Sequence, residues 1–130
     1  MPESAGFSTW NGVESCEFVD GVRIHAIGGD QVLMCRVVYE PGKTVPRHAH
    51  EHTEQLMAIV EGSVRMTIGD ETRDLGPGDV VCVNKGVEHE LYSEGGVVFF
   101  EALAPVPLDH VPDKDRDLFL SEGGRTHVAR

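Results

Sequence analysis

Short runs rich in Val, Ile, Met and Phe recur along this chain, broken every several residues by Gly, Pro, Asn or Asp, and none keeps the three-to-four spacing of a helix. The pattern predicts an all-β fold. Strands are expected over 22–27, 32–39, 54–60, 63–68, 80–83, 89–92 and 97–103, a number that suits a sandwich or a small barrel. Glu61-Gly62, Gly69-Asp70-Glu71 and Glu94-Gly95-Gly96 separate consecutive strands and read as hairpin turns, each offering a glycine for positive φ. Gly76-Pro77-Gly78-Asp79 and Asn84-Lys85-Gly86 bracket residues 80–83 and keep that strand short.

The pattern changes at both ends. Residues 1–20 are polar around isolated Phe7, Trp10 and Phe18, and read either as a loosely packed arm or as a strand pairing along the sheet edge or across a dimer. Residues 21–104 form the barrel, and 105–130, with Pro105, Pro107, Pro112 and the short apolar Leu118-Phe119-Leu120, form an extended tail lying on it, frayed from Ser121. At 130 residues the chain fits one domain that buries a core without disulfides.

Histidines are placed where strand geometry gives them a joint use. Side chains two apart on a strand share a face, so His48 and His50 converge while Ala49 points away. A strand beginning at Glu54 or Gln55 brings an oxygen donor, and alternation turns one of the two inward but not both. His89 lies much later, just past the Asn84-Lys85-Gly86 turn, at the start of another strand. Together these residues describe a three-nitrogen, one-oxygen site for one divalent ion inside a barrel. His52 continues the alternation from His50 and is open to three roles: ligand, proton shuttle or rim residue. His25, His110 and His127 have no such spacing and read as solvent or packing histidines.

Composition narrows the partners. A formal charge of -11 with scattered acidic residues argues against nucleic acid, whose phosphates need clustered Lys and Arg. No stretch is long and apolar enough to span a bilayer, and the N-terminus has no basic leader, so a cytoplasmic location and no membrane are expected. Three widely spaced cysteines, Cys16, Cys35 and Cys82, read as small buried thiols in a reducing compartment.

The segment Gly42 to Gly62 resembles the first cupin motif: a glycine, five residues, H-x-H, a short spacer, an acidic or amide residue, six residues and a glycine. Gly78-Asp79 through Asn84-Lys85-Gly86 to His89 resembles the second, a glycine, five residues, P-x-G, two residues and a histidine. The resemblance covers about half of the chain and implies a single jelly-roll β-barrel of the small cupin type, with a homodimer as its usual assembly. Counting six residues back from Gly62 puts Gln55, not a glutamate, in the usual acidic-ligand position, with Glu54 beside it. Asn84 stands for the usual proline, and Ser93 for an asparagine.

The implied metal set is therefore His48, His50, Gln55 and His89, holding zinc, manganese, iron or nickel, with Glu54 or His52 as acid or base. A set of neutral ligands leaves the ion's double charge uncompensated and favours an anionic or enolic small-molecule substrate. Met57 shares the face of Gln55 and, with either Phe99 or Phe100, gives an apolar cavity wall. Arg36 joins that cavity if Met34, Arg36 and Val38 are the inward set, and otherwise points to solvent. Leu56, Ala58 and Val60 then form an apolar outer face that a second sheet or subunit would cover. The expected chemistry is Lewis-acid isomerisation, cyclisation, ring opening or lyase reaction. The alternatives are an iron-dependent dioxygenase and a non-catalytic small-molecule binder. Compact cupins that open unsaturated uronate sugars or cyclise polyketides look similar, but the shared motifs carry no substrate signature.

Overall fold

Every second side chain of most strands turns into one shared interior, and this period of two organises the barrel. The computed structural model describes residues 7–13 and 15–107. Its elements are a 3-10 turn, Trp10–Gly12, followed by strands β1 Ser15–Val19, β2 Val22–Gly28, β3 Leu33–Tyr39, β4 Lys43–His48 and β5 Glu54–Gly62. Then come β6 Val64–Ile68, β7 Glu71–Leu75, β8 Val80–Val83, β9 His89–Ser93 and β10 Val97–Ala104. Residues 108–130 of the expected tail, with Leu118-Phe119-Leu120, His110 and His127, lie outside the described residues.

The strands form two antiparallel sheets, one ordered β1-β2-β3-β10-β5-β8 and the other β4-β9-β6-β7, in a jelly-roll arrangement. Their facing sides bury Ile24, Leu33, Val37, Met66, Phe99 and Leu103. The all-β expectation holds, and no described helix is long and apolar enough to cross a membrane.

One open reading is decided and two local expectations are corrected. Ser15–Val19 is a strand along the sheet edge, joined to β2 through the two-residue Asp20-Gly21 turn, with Phe18 in the core. Glu71–Leu75 is a strand too, paired with β6 across a two-residue Gly69-Asp70 turn in which Gly69 takes φ 62°. Its side chains are exposed on both faces apart from a half-buried Leu75, so no apolar alternation marks it.

The turns at Glu61-Gly62 and Glu94-Gly95-Gly96 are not hairpins: each carries the chain from one sheet to the other. These two crossings meet. Gly62 has φ 78°, Gly96 has φ 97°, and a Cβ on Gly62 would collide with the Gly96 carbonyl oxygen. Ser63 and Ser93 tie the same corner together, through Ser63 N donating to Gly96 O and Ser93 Oγ donating to Ser63 O at 2.6 Å.

Candidate metal centre

A strict alternation from buried Val45 would turn Arg47 inward and His48 outward. Pairing between β4 and β9 prevents this. Val45 lies opposite Leu91, but the next registered pair is His48 with His89, so two steps on β9 face three on β4. This bulge falls at Pro46-Arg47, where proline has no N–H to give the ladder. It switches the parity of the strand, aiming His48 inward and leaving Arg47 outside, where its guanidinium bonds Glu88 at 3.0 Å and the Gly69 carbonyl at 2.7 Å.

His50 lies two residues beyond the end of β4, in the connection to β5 and not on a strand. Its carbonyl accepts the Gly86 N–H at 2.8 Å, which pins the turn before His89 onto the segment carrying His48 and His50. Gly86 has φ 79°, and Val87 N donates to Asn84 O, so the turn closes without the usual proline. At the far end of the same segment, Thr53 Oγ1 donates to Pro105 O at 2.8 Å and locks the entry to β5.

These anchors bring His48, His50 and His89 together, with one ligand atom from each lying within 4.8 Å of the others. Their ring centroids are 4.3 to 5.6 Å apart. His89 and His50 are buried, and His48 is partly so. In His48 and His89, Nδ1 meets the carbonyl of the residue two before it, Pro46 O at 2.7 Å and Val87 O at 3.0 Å. A carbonyl can only accept, so Nδ1 carries the proton and Nε2 keeps the lone pair a metal needs.

Gln55 turns inward and Glu54 outward, which settles the strand alternation in favour of the amide. The Gln55 Nε2 donates to Glu101 Oε1 at 2.6 Å, and the Gln55 Oε1 is buried without a hydrogen bond. Three imidazoles and a glutamine with an unbonded amide oxygen line one cavity, a donor set suited to a first-row divalent ion, and the residues fit one. The cavity that they share with Phe18, Tyr39 and Phe99 has a volume of about 20 Å³, room for a water-sized body. Burial, and then the charge of Glu101, push the Tyr39 hydroxyl well above its usual range, so it stays protonated.

The remaining site expectations divide. Phe99 lines the cavity and packs on Tyr39 with ring centroids 5.7 Å apart, whereas Met57 faces inward but is not among the residues that line it. Arg36 is not in the cavity: Leu33, Cys35, Val37 and Tyr39 are the inward set, so it lies on the outer face of β3 opposite Phe100 and His25. There Phe100 stacks on Trp10 at 5.8 Å, while partial burial and then the charges of Arg36 and Arg23 lower the His25 pKa. Glu54 and His52 are exposed and do not line the cavity. Glu101 was missed by the sequence reading, although a signal existed. Once Phe99 is the inward aromatic, alternation carries Glu101 to the same face.

A family model described as the cupin domain matches residues 35–102. A putative germin-like protein 9-2 of Oryza sativa subsp. japonica is 28% identical over 75 residues, which cover 54% of this chain and 35% of that protein. The chain thus spans about a third of that relative's length. KdgF from Halomonas sp. superposes with a TM-score of 0.76 at 18% identity, over 83% of this chain and 100% of that one. An RmlC-like cupin from Shewanella frigidimarina gives 0.78 at 21% identity, over 85% and 100%. Likeness at these identities extends to the fold.

Proposed function

The chain belongs to the cupin family, and from that premise we propose that it holds one divalent metal ion on His48, His50, His89 and Gln55 and acts on a small organic substrate with an anionic or enolic oxygen. The convergence of three imidazoles within 4.8 Å carries this reading. When bound, the ion would supply Lewis acidity to a substrate oxygen, the chemistry that isomerisation, cyclisation, ring opening and lyase reactions share.

The protein's own residues shape what is accepted. An interior of about 20 Å³ admits a small polar head and keeps the body of a substrate outside. The apolar wall at Phe18 and Phe99 and the protonated Tyr39 keep that head out of bulk water. We assign proton exchange with solvent to His52 and Glu54, both exposed on the link between His50 and Gln55.

Purification without added metal or chelator, followed by metal analysis and by oxygen uptake with enolic and carboxylate substrates, tests the proposal. Zinc, manganese or nickel near one per chain with no uptake supports the Lewis-acid reading. Iron with substrate-dependent uptake replaces it with a dioxygenase. Failure to bind any of these ions, even when they are supplied, leaves a small-molecule binder.

We further propose a cytoplasmic homodimer. The odd number and wide spacing of Cys16, Cys35 and Cys82 suit a reducing compartment. The outer face of the six-stranded sheet exposes Leu56 by 51%, Val80 by 77% and Met34 by 45%. These residues border a groove of about 510 Å³ with Ala58, Phe100 and Ala102. Leu56→Lys is expected to convert a dimer into a monomer in light scattering. A wild-type chain that is monomeric at high concentration contradicts the assembly.

A further inference from the structure

Glu101 is the one buried carboxylate among the described residues, 4% exposed and facing the cavity that holds the three histidines. A carboxylate in such a place is costly unless something compensates its charge. Its neighbour Gln55 is a neutral amide. On the paired strands Gln55 stands opposite Leu103 and Glu101 opposite Met57, so their side chains share the inner face on a diagonal. The contact, Gln55 Nε2 to Glu101 Oε1 at 2.6 Å, decides which way the amide points. An ionised carboxylate only accepts, so the amide must give it Nε2 and has Oε1 left to offer elsewhere.

We infer that Glu101 is a positioning residue of the metal centre: it holds Gln55 with Oε1 available beside the histidines and supplies the negative charge that the neutral ligands lack. This inference rests on the metal-site reading above. The arrangement is the amide counterpart of a carboxylate that orients a ligating imidazole through its far N–H and raises its basicity. It also accounts for a glutamine at the ligand position. A glutamate at 55 would put two carboxylates in contact inside the barrel, and like charges that close resist joint ionisation. The charge expected of an acidic ligand has moved one strand over, to β10. The ligand set itself stays neutral, and one carboxylate lies a single hydrogen bond from it.

Four variants test this in the full chain: Glu101→Ala, the isosteric Glu101→Gln, Gln55→Glu, and the exchange Gln55→Glu with Glu101→Gln. Manganese(II) affinity is read by the loss of its free-ion paramagnetic resonance signal, and cobalt(II) coordination by visible absorption. The metal-free melting temperature serves as the control for folding. Glu101→Ala is expected to weaken manganese binding by about 10- to 100-fold and to change the cobalt spectrum. Glu101→Gln keeps the shape without the charge, and is expected to weaken binding with little change in metal-free melting. Gln55→Glu is expected to lower metal-free melting, and the exchanged pair to bind manganese more tightly than Glu101→Gln. Wild-type affinity and an unchanged cobalt spectrum in both Glu101 variants overturn the inference, and an exchanged pair no better than Glu101→Gln overturns the role of charge. A wild-type protein that binds neither ion fails the metal-site reading itself.

Discussion

His89→Ala is expected to give a folded barrel that holds no divalent ion, and His50→Ala the same. Each removes one of three nitrogen donors that converge within 4.8 Å, and no other described His, Cys, Asp or Glu joins that group to replace it. The loss in affinity should therefore exceed the about 10- to 100-fold that follows removal of an outer hydrogen-bond partner. The barrel survives because its core is apolar packing between two sheets, in which Leu33, Leu103 and Val64 are almost wholly buried. Far-ultraviolet circular dichroism should match wild type, and metal analysis should fall from one ion per chain to none.

Gly62→Ala is expected to be among the most destabilising single substitutions in the chain while leaving every metal donor in place. Gly62 sits at φ 78°, where an alanine is strained, and its Cβ would run into the Gly96 carbonyl oxygen. Backbone atoms cannot swing aside as a flexible side chain does, so the two sheet crossings must separate. Strain and overpacking together are expected to cost about 2–4 kcal/mol, a fall of roughly 5–15 °C in melting temperature. A variant melting within about 2 °C of wild type contradicts the close approach. Gly69→Ala is the informative contrast. It too has positive φ, at 62°, but its Cβ would meet nothing within 4 Å, so strain alone acts there.

Both effects trace to features that the sequence shows unequally. The period of two in Val32-Tyr39 and Glu54-Val60 is legible because one face of each strand is buried and apolar. Glu71–Leu75 is not, since an edge strand with nearly all its side chains in water needs no alternation. Phe18 gave β1 a single core anchor, too little to separate a strand from an arm.

The H-x-H spacing and the turn before His89 were legible because few other arrangements use imidazoles at that interval. What turns His48 to the inner face was not, because it is the bulge at Pro46-Arg47, and a bulge is fixed by pairing with β9. Arg36 was ambiguous for the same reason, since both faces of β3 carry apolar residues and only the packing of sheet on sheet selects the inner set. Glu101 was concealed within an otherwise apolar run, where its value comes from a partner 46 residues away.

The most direct test of the central claim is metal content per chain in wild type and His89→Ala, purified side by side and offered manganese, iron, nickel and zinc in turn. One ion per wild-type chain and none in the variant is the predicted result. Equal binding by both proteins, or none by the wild type, would contradict it.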